Sequence, residues 1–310
     1  MARAWDADIE LTLDGAAILI AEQFPSLLPI KMDALGVGWD NSAFIVNDEV
    51  VFRFPRRKLG AELIVNETRV LPLLAPELGL PIPLPRYIGQ PRSGYPYPFV
   101  GYTVLHGTTA CTIDWHDAGR TENAIPIARF LSRLHSIAIP DDVLTWAPRD
   151  DIRRADIRYR APGLKQRLGL LTGHVADSDI ANLIATVDHS LTASLRSDPP
   201  CWVHGDLYSR HLLMDENECL CGVIDWGDVH LGDPALDLSI VYTFLPPSCH
   251  HVFWQVYGGV DEAARLRARF RAINYGAILT AYGSDVGDAS ILSIGRYALQ
   301  NVQQSAEEIL

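Results

Sequence analysis

The stretch CWVHGDLYSRHLLMDENECLCGVIDWGDVHLGDPALDLS, residues 201–239, decides how the chain reads. Apolar Trp202 and Val203 lead into a polar loop that carries Asp206, and His211 follows five positions later. Residues 212–214 and 220–224 read as two short strands joined by a polar turn at 215–218, and the second strand delivers Asp225 at its end. Short connections thus bring two carboxylates and an imidazole into one region. Phosphoryl transfer needs such a set, because the attacking hydroxyl must be aligned while metal ions stabilise charge on the transferring oxygens. Asp206 is the candidate for orienting the hydroxyl and accepting its proton. Asp225 is the candidate for metal-bridged phosphates, and His211 stands where a second metal ligand is expected.

Working outward, the chain changes character once. Gly36 and Gly38 precede an alternating run, Ser42 to Val46, then a polar turn at Asn47, Asp48 and Glu49 and a β-rich run from Val50 to Phe54. Pro55 should close that strand, since proline cannot donate to a ladder. From Gly60 to Leu74, apolar Leu63, Ile64, Val70, Leu71 and Leu74 recur at helical spacing, with Pro72 expected in the last turn or at a kink. Residues 81–107 read as strand, turn and strand. Helical patterns follow over 121–137, 177–195, 234–244, 262–282 and 289–309. Strands first and helices afterwards predict an α+β chain of two lobes, residues 1–105 and 106–310.

On these residues the sequence resembles the aminoglycoside and macrolide phosphotransferase family, whose fold is similar to that of eukaryotic protein kinases. His204, Gly205 and Asp206 match its catalytic loop, and Asp225, Trp226 and Gly227 match its metal loop. The downstream ligand position, usually Asn, falls on His211; a structural hydrogen bond to the Asp206 loop is the alternative role. The phosphate-contacting strand lysine matches Arg53 and its helix glutamate matches Glu67, with ordinary surface or packing roles as the alternative. Gly36, Gly38 and Ser42 fall at the nucleotide-covering loop, where two glycines of a β-turn are the competing explanation. His135 resembles a structural histidine of the family, and Asp237 a brace for the catalytic loop.

The resemblance implies a small β-rich N-terminal nucleotide-binding lobe and a large, mostly helical C-terminal catalytic and substrate-binding lobe. It implies an ATP- or GTP-dependent, Mg²⁺-requiring kinase acting on a hydroxyl of a small-molecule alcohol, with a cationic aminoglycoside antibiotic as first expectation. A macrolide 2'-phosphotransferase, another metabolite alcohol kinase and a nucleotide-binding pseudokinase are the alternatives.

Charge and composition bound the rest. Lys and Arg number 26 against 38 Asp and Glu, a net charge of −12, which opposes general attraction to a nucleic-acid backbone and suits a cationic substrate. No basic, aromatic-rich track argues for RNA. The opening residues lack a basic segment followed by an apolar run, and every longer apolar patch is interrupted before membrane-spanning length, so a cytoplasmic protein without a membrane partner is expected. A monomer is expected, with a dimer as alternative. Five cysteines form no staple pattern.

Overall fold

The computed structural model describes residues 7–38, 40–193 and 199–305; the expected helix ends at Leu195 and Ile309 lie outside them. The chain forms two compact units, one of residues 1–106 together with Asp225–Asp228, the other of residues 107–224 and 229–310.

In the first unit, helix α1 (Leu13–Gln23) begins where the Thr12 hydroxyl accepts the Gly15 N–H. Strands β1 (Met32–Val37), β2 (Asn41–Val46) and β3 (Val50–Pro55) follow, then the long helix α2 (Lys58–Leu78) and strands β4 (Pro85–Gly89) and β5 (Phe99–Thr103). The sheet is antiparallel throughout in the order β1-β2-β3-β5-β4. The β2–β3 turn places Asn47 and Asp48 at φ 54° and 58°, the left-handed pair that a tight hairpin requires and that Asn and Asp tolerate. Period-two alternation puts Phe52 and Phe54 on one face, where both are fully buried and Phe54 stacks on Phe99 at 4.4 Å between centroids. Arg53, between them, is left to the other face.

Helix α2 runs further than its sequence pattern suggested, passing through Pro72 and Pro76 to end at Gly79 with φ 65°. Both prolines lie on the exposed side of the helix, four residues apart, so the carbonyls they leave without an N–H partner can turn to water.

The second unit opens with the two-residue strand β6 (Thr108–Thr109), followed by helices α3 (Asp117–Glu122), α4 (Ala124–Ser136), α5 (Asp141–Leu144), α6 (Ile157–Gly169) and α7 (Asp177–Ser190). The pattern over 121–137 suggested one helix; it is broken at Asn123. The buried Asn123 amide donates to the carbonyls of Gly119 and Glu218 and accepts the Leu220 N–H at 2.8 Å, so the break supplies a clamp for the turn leading to Leu220. Strands β7 (Cys201–Val203), β8 (Leu212–Met214), β9 (Leu220–Val223) and β10 (His230–Gly232) pair as β10-β7 and β6-β8-β9. Helices α8 (Ala235–Leu238), α9 (Ile240–Thr243), α10 (His250–Tyr257), α11 (Glu262–Val286) and α12 (Ala289–Gln304) complete it. Helices α11 and α12 approach closely because Gly295 carries no side chain; a Cβ there would fall 2.4 Å from the Thr280 backbone nitrogen.

Candidate active site

In the first unit, Arg53 projects from β3 away from its aromatic neighbours and joins two carboxylates. Its Nη1 donates to Glu67 Oε1 and its Nη2 to Asp225 Oδ1, each at 2.8 Å. Glu67 is buried on α2, and the Tyr102 hydroxyl of β5 donates to its second oxygen in a short hydrogen bond. Burial pushes the Glu67 carboxyl above its ordinary range despite the opposing pull of Arg53. Burial works the other way on Arg53, yet Glu67 and Asp225 together hold its guanidinium above its ordinary value. The Tyr102 phenol is pushed well up, by burial first and then by the Glu67 charge. Asp225 has φ 63°, a left-handed conformation unusual outside glycine, and its side chain remains 47% exposed.

Gly36 and Gly38 lie at the exposed end of β1, and the Gly38 N–H donates to Asn41 O at 2.8 Å, closing the loop on itself. Ser42 pairs across the ladder with Phe54 and is buried with the aromatic side chains, on the sheet face opposite Arg53. The structure therefore gathers Arg53, Glu67 and Asp225 and leaves the Ser42 side chain out of that group. It adds Tyr102, whose side chain no sequence signal singled out.

In the second unit, the loop after β7 is tied from below. The fully buried Asp237 carboxylate accepts the His204 N–H at 2.7 Å and the Gly205 N–H at 2.9 Å, while His135 Nε2 stands 3.2 Å away. Burial alone would raise the Asp237 carboxyl; the His135 hydrogen bond and charge, the His204 ring and the Gly205 amide overcome it and hold it below its ordinary range. His135 is itself fixed by the Tyr257 hydroxyl, 2.8 Å from Nδ1. Burial, then the nearby His211 ring, lower the pKa of His204. Its neutral tautomer follows from its neighbours: Nε2–H donates to Ile224 O at 3.0 Å, and Nδ1 accepts the Asp206 N–H at 3.3 Å.

The Asp206 carboxylate above this frame is met by α11. Arg271 Nη2 lies 3.5 Å from Asp206 Oδ1, and Tyr275 follows Arg271 by one helical turn on the same helix. Burial, and then the Asp206 charge, hold the Tyr275 phenol well above its ordinary value. The Arg271 guanidinium sits 4.8 Å from the Tyr275 ring centroid, and Tyr208 meets that ring edge-on at 5.0 Å. Arg271 and Tyr275 were missed in the sequence. The available signal was the alternate arginines at 267, 269 and 271, which no single face of a helix can send to water together; all three are buried and hence in need of partners.

Asp225 offers a hard, half-exposed carboxylate of the kind Mg²⁺ takes. His211 Nδ1 lies 2.8 Å from the Asp206 carbonyl, which can only accept, so Nδ1 carries a hydrogen there. Imidazole nitrogen ligates divalent metals in general, although Mg²⁺ prefers oxygen. Among the described residues no three His, Cys, Asp or Glu side chains group as a metal cage.

The model of the phosphotransferase enzyme family matches residues 31–271, from the lysine before β1 into α11, and so includes Arg53, Glu67, Asp206, His211, Asp225 and Arg271. The uncharacterized protein YcbJ of Bacillus subtilis (strain 168) is 29% identical over 104 residues, 33% of this chain; the match spans only 30% of that protein. Among solved structures, the GDP complex of wild-type aminoglycoside 2'-phosphotransferase-IIIa aligns with a TM-score of 0.69 at 24% identity, covering 93% of this chain and 97% of that one. The apoenzyme of macrolide 2'-phosphotransferase MphH from Brachybacterium faecium aligns with a TM-score of 0.62 at 23% identity over the same shares. These likenesses place the chain in the α+β, protein-kinase-like fold with a β-sheet N-terminal region and a mostly helical remainder. The chain belongs to the phosphotransferase enzyme family.

Proposed function

We propose that this protein transfers the terminal phosphoryl group of ATP or GTP to a hydroxyl of a small-molecule acceptor. The observation that carries the reading is Arg53 held between Glu67 and Asp225, a fixed cation beside a metal-suited carboxylate in the sheet-bearing unit. In this reading Arg53 contacts nucleotide phosphate with Glu67 and Tyr102 holding it in place, and the backbone at Gly36 and Gly38 covers the nucleotide. Asp225 holds Mg²⁺ with His211 as the second position; when bound, the ion neutralises charge on the phosphate oxygens. Asp206 orients the acceptor hydroxyl and takes its proton as the new O–P bond forms and the bond to the nucleoside diphosphate breaks. The tie through Asp237, His204 and Gly205 keeps the Asp206 backbone in place for that task.

For the acceptor, a cationic aminoglycoside draws on the net charge of −12 and on the aminoglycoside phosphotransferases among the similar folds. A second reading, an acceptor without a cluster of amines, such as a macrolide or a metabolite alcohol, is favoured by the Arg271 guanidinium at Asp206 and the tyrosines beside it. Among the described residues no helix is long and apolar enough to cross a membrane. The working picture is a cytoplasmic monomer.

The test is phosphoryl transfer by purified protein from ATP and from GTP, with Mg²⁺, to members of each acceptor class, alongside Asp206→Ala. Transfer should disappear in the variant while nucleotide binding persists. Undiminished transfer by Asp206→Ala would remove Asp206 from its role, and nucleotide binding with no transfer to any acceptor would favour the pseudokinase alternative.

A further inference from the structure

Within the helical unit, α6 and α11 border an open groove of about 580 Å³, lined by Arg167, Leu170, Leu171, His174, Ala281 and Ser284. On α11, Asn274, Ala281, Ser284 and Asp285 share one face, at offsets of seven, ten and eleven residues. Arg271 precedes Asn274 by three residues, about 4.5 Å along the axis, and the α11 lining of the groove starts at Ala281, about 15 Å along the axis from Arg271, so Arg167, bonded to Asn274, stands between the groove and the guanidinium that meets Asp206. A volume of this size suits a drug-sized molecule rather than a bare sugar.

Arg167 gives the near end of the groove its chemistry. Its Nη1 donates to the neutral Asn274 amide oxygen at 3.3 Å, and among the described residues no carboxylate lies within ion-pair distance of it. The side chain is half-buried, and burial, followed by the like charge of Arg160, lowers its pKa. A guanidinium partly withdrawn from water, with only a neutral acceptor, gains most from an anion with two oxygens to accept its fork. The other titratable groups at the groove do not supply one nearby. His174 is engaged with the Ser284 hydroxyl at 3.0 Å, and Asp285 lies about 16 Å further along α11 from Asn274, well beyond the screening length at physiological salt.

We propose that this groove is the distal part of the acceptor site and that Arg167 binds an anionic group, a carboxylate or phosphate, on an alcohol whose reacting hydroxyl lies at Asp206. The assignment rests on the kinase reading given above and develops its second acceptor class. Arg271 supports it independently, since a cation already occupying one face of Asp206 repels an ammonium group next to the reacting hydroxyl and tolerates an oxygen-rich one.

A matched pair of probes separates charge from shape: p-nitrophenyl glucuronide and p-nitrophenyl glucoside differ only in a carboxylate. Calorimetric titration of the full chain in the presence of ADP and Mg²⁺ should give at least tenfold tighter binding of the glucuronide. Arg167→Gln should abolish that advantage, and Arg167→Lys should restore part of it, with ADP affinity unchanged in both as the check on folding. Equal affinity for the two probes, no binding of either, or a preference that survives Arg167→Gln overturns the assignment. Phosphoryl transfer from ATP to both probes and to kanamycin is measured in parallel. Transfer to kanamycin in preference to the glucuronide overturns the anion site while the kinase reading stands. Absence of transfer to any acceptor counts against the kinase reading alone, because the binding comparison still decides Arg167.

Discussion

Replacing Arg53 with Met should destabilise the protein strongly, and by an amount that depends on pH. The guanidinium faces Glu67 at 2.8 Å and Asp225 at 2.8 Å, with Glu67 fully buried and Asp225 half-exposed. At an effective dielectric constant of ~20 the Glu67 contact alone is worth about 6 kcal/mol of Coulomb attraction, much of it offset by the cost of burying both charges. Removing one partner of such a pair costs about 3–5 kcal/mol, and losing the half-exposed Asp225 contact adds at most ~1 kcal/mol. The pH dependence follows from Glu67. Burial already raises its folded pKa, so the folded state holds the proton longer than the unfolded state, and stability falls as pH rises from the ordinary carboxylate value through the raised one. Without Arg53, which opposes that rise, the window extends upward. Urea unfolding of native protein and Arg53→Met should therefore show a larger loss at pH 8 than near pH 3, below the ordinary carboxylate value, where the Glu67 charge is lost in folded and unfolded protein alike. Equal losses at the two pH values, or a loss below about 1 kcal/mol at pH 8, would refute the assignment of Arg53 as counter-charge to a buried carboxylate.

Two further outcomes follow from the catalytic loop. Asp237→Asn keeps the size of the side chain but weakens its grip on two backbone amides and on His135; kcat should fall by about a hundredfold with nucleotide KM little changed, as expected when a reacting group shifts by an ångström. Since the folded Asp237 carboxyl lies below its ordinary range, the stability it adds is present above that range and lost as pH falls through the folded value; the stability gap between native and variant should close in acid. His211→Asn should lower the Mg²⁺ concentration for half-maximal rate by roughly tenfold, oxygen replacing imidazole nitrogen. An unchanged Mg²⁺ requirement would assign His211 a structural role, with its Nδ1 at the Asp206 carbonyl.

The sheet was legible because its signals are local. The alternation around Phe52, Arg53 and Phe54 fixes faces by period two, and Asn47 and Asp48 are residues that tolerate the left-handed turn the hairpin needs. The helix breaks were not, since they depend on distant partners: the helix over 121–137 is interrupted so that Asn123 can reach a turn some 95 residues onward. Pro72 misled in the opposite sense, because exposure of its face of α2 removes much of the penalty that proline carries inside a helix. In the site, residues tied to a motif could be placed by spacing alone, as with Asp206 and Asp225. Tyr102 and Arg271 reach their carboxylates from 35 and 65 positions away, and no spacing rule reports that.

The way the two units share the chain constrains how it can be taken apart. Asp225–Asp228 belongs with residues 1–106, although more than a hundred residues separate them in sequence. A fragment cut after His106 would keep Arg53, Glu67 and Tyr102 yet lack the carboxylate that occupies one arm of the guanidinium. Chimaeras that exchange the sheet-bearing unit between relatives therefore inherit a split cluster unless the four-residue return is exchanged with it. Gene boundaries drawn at the apparent joint would separate residues whose charges balance one another.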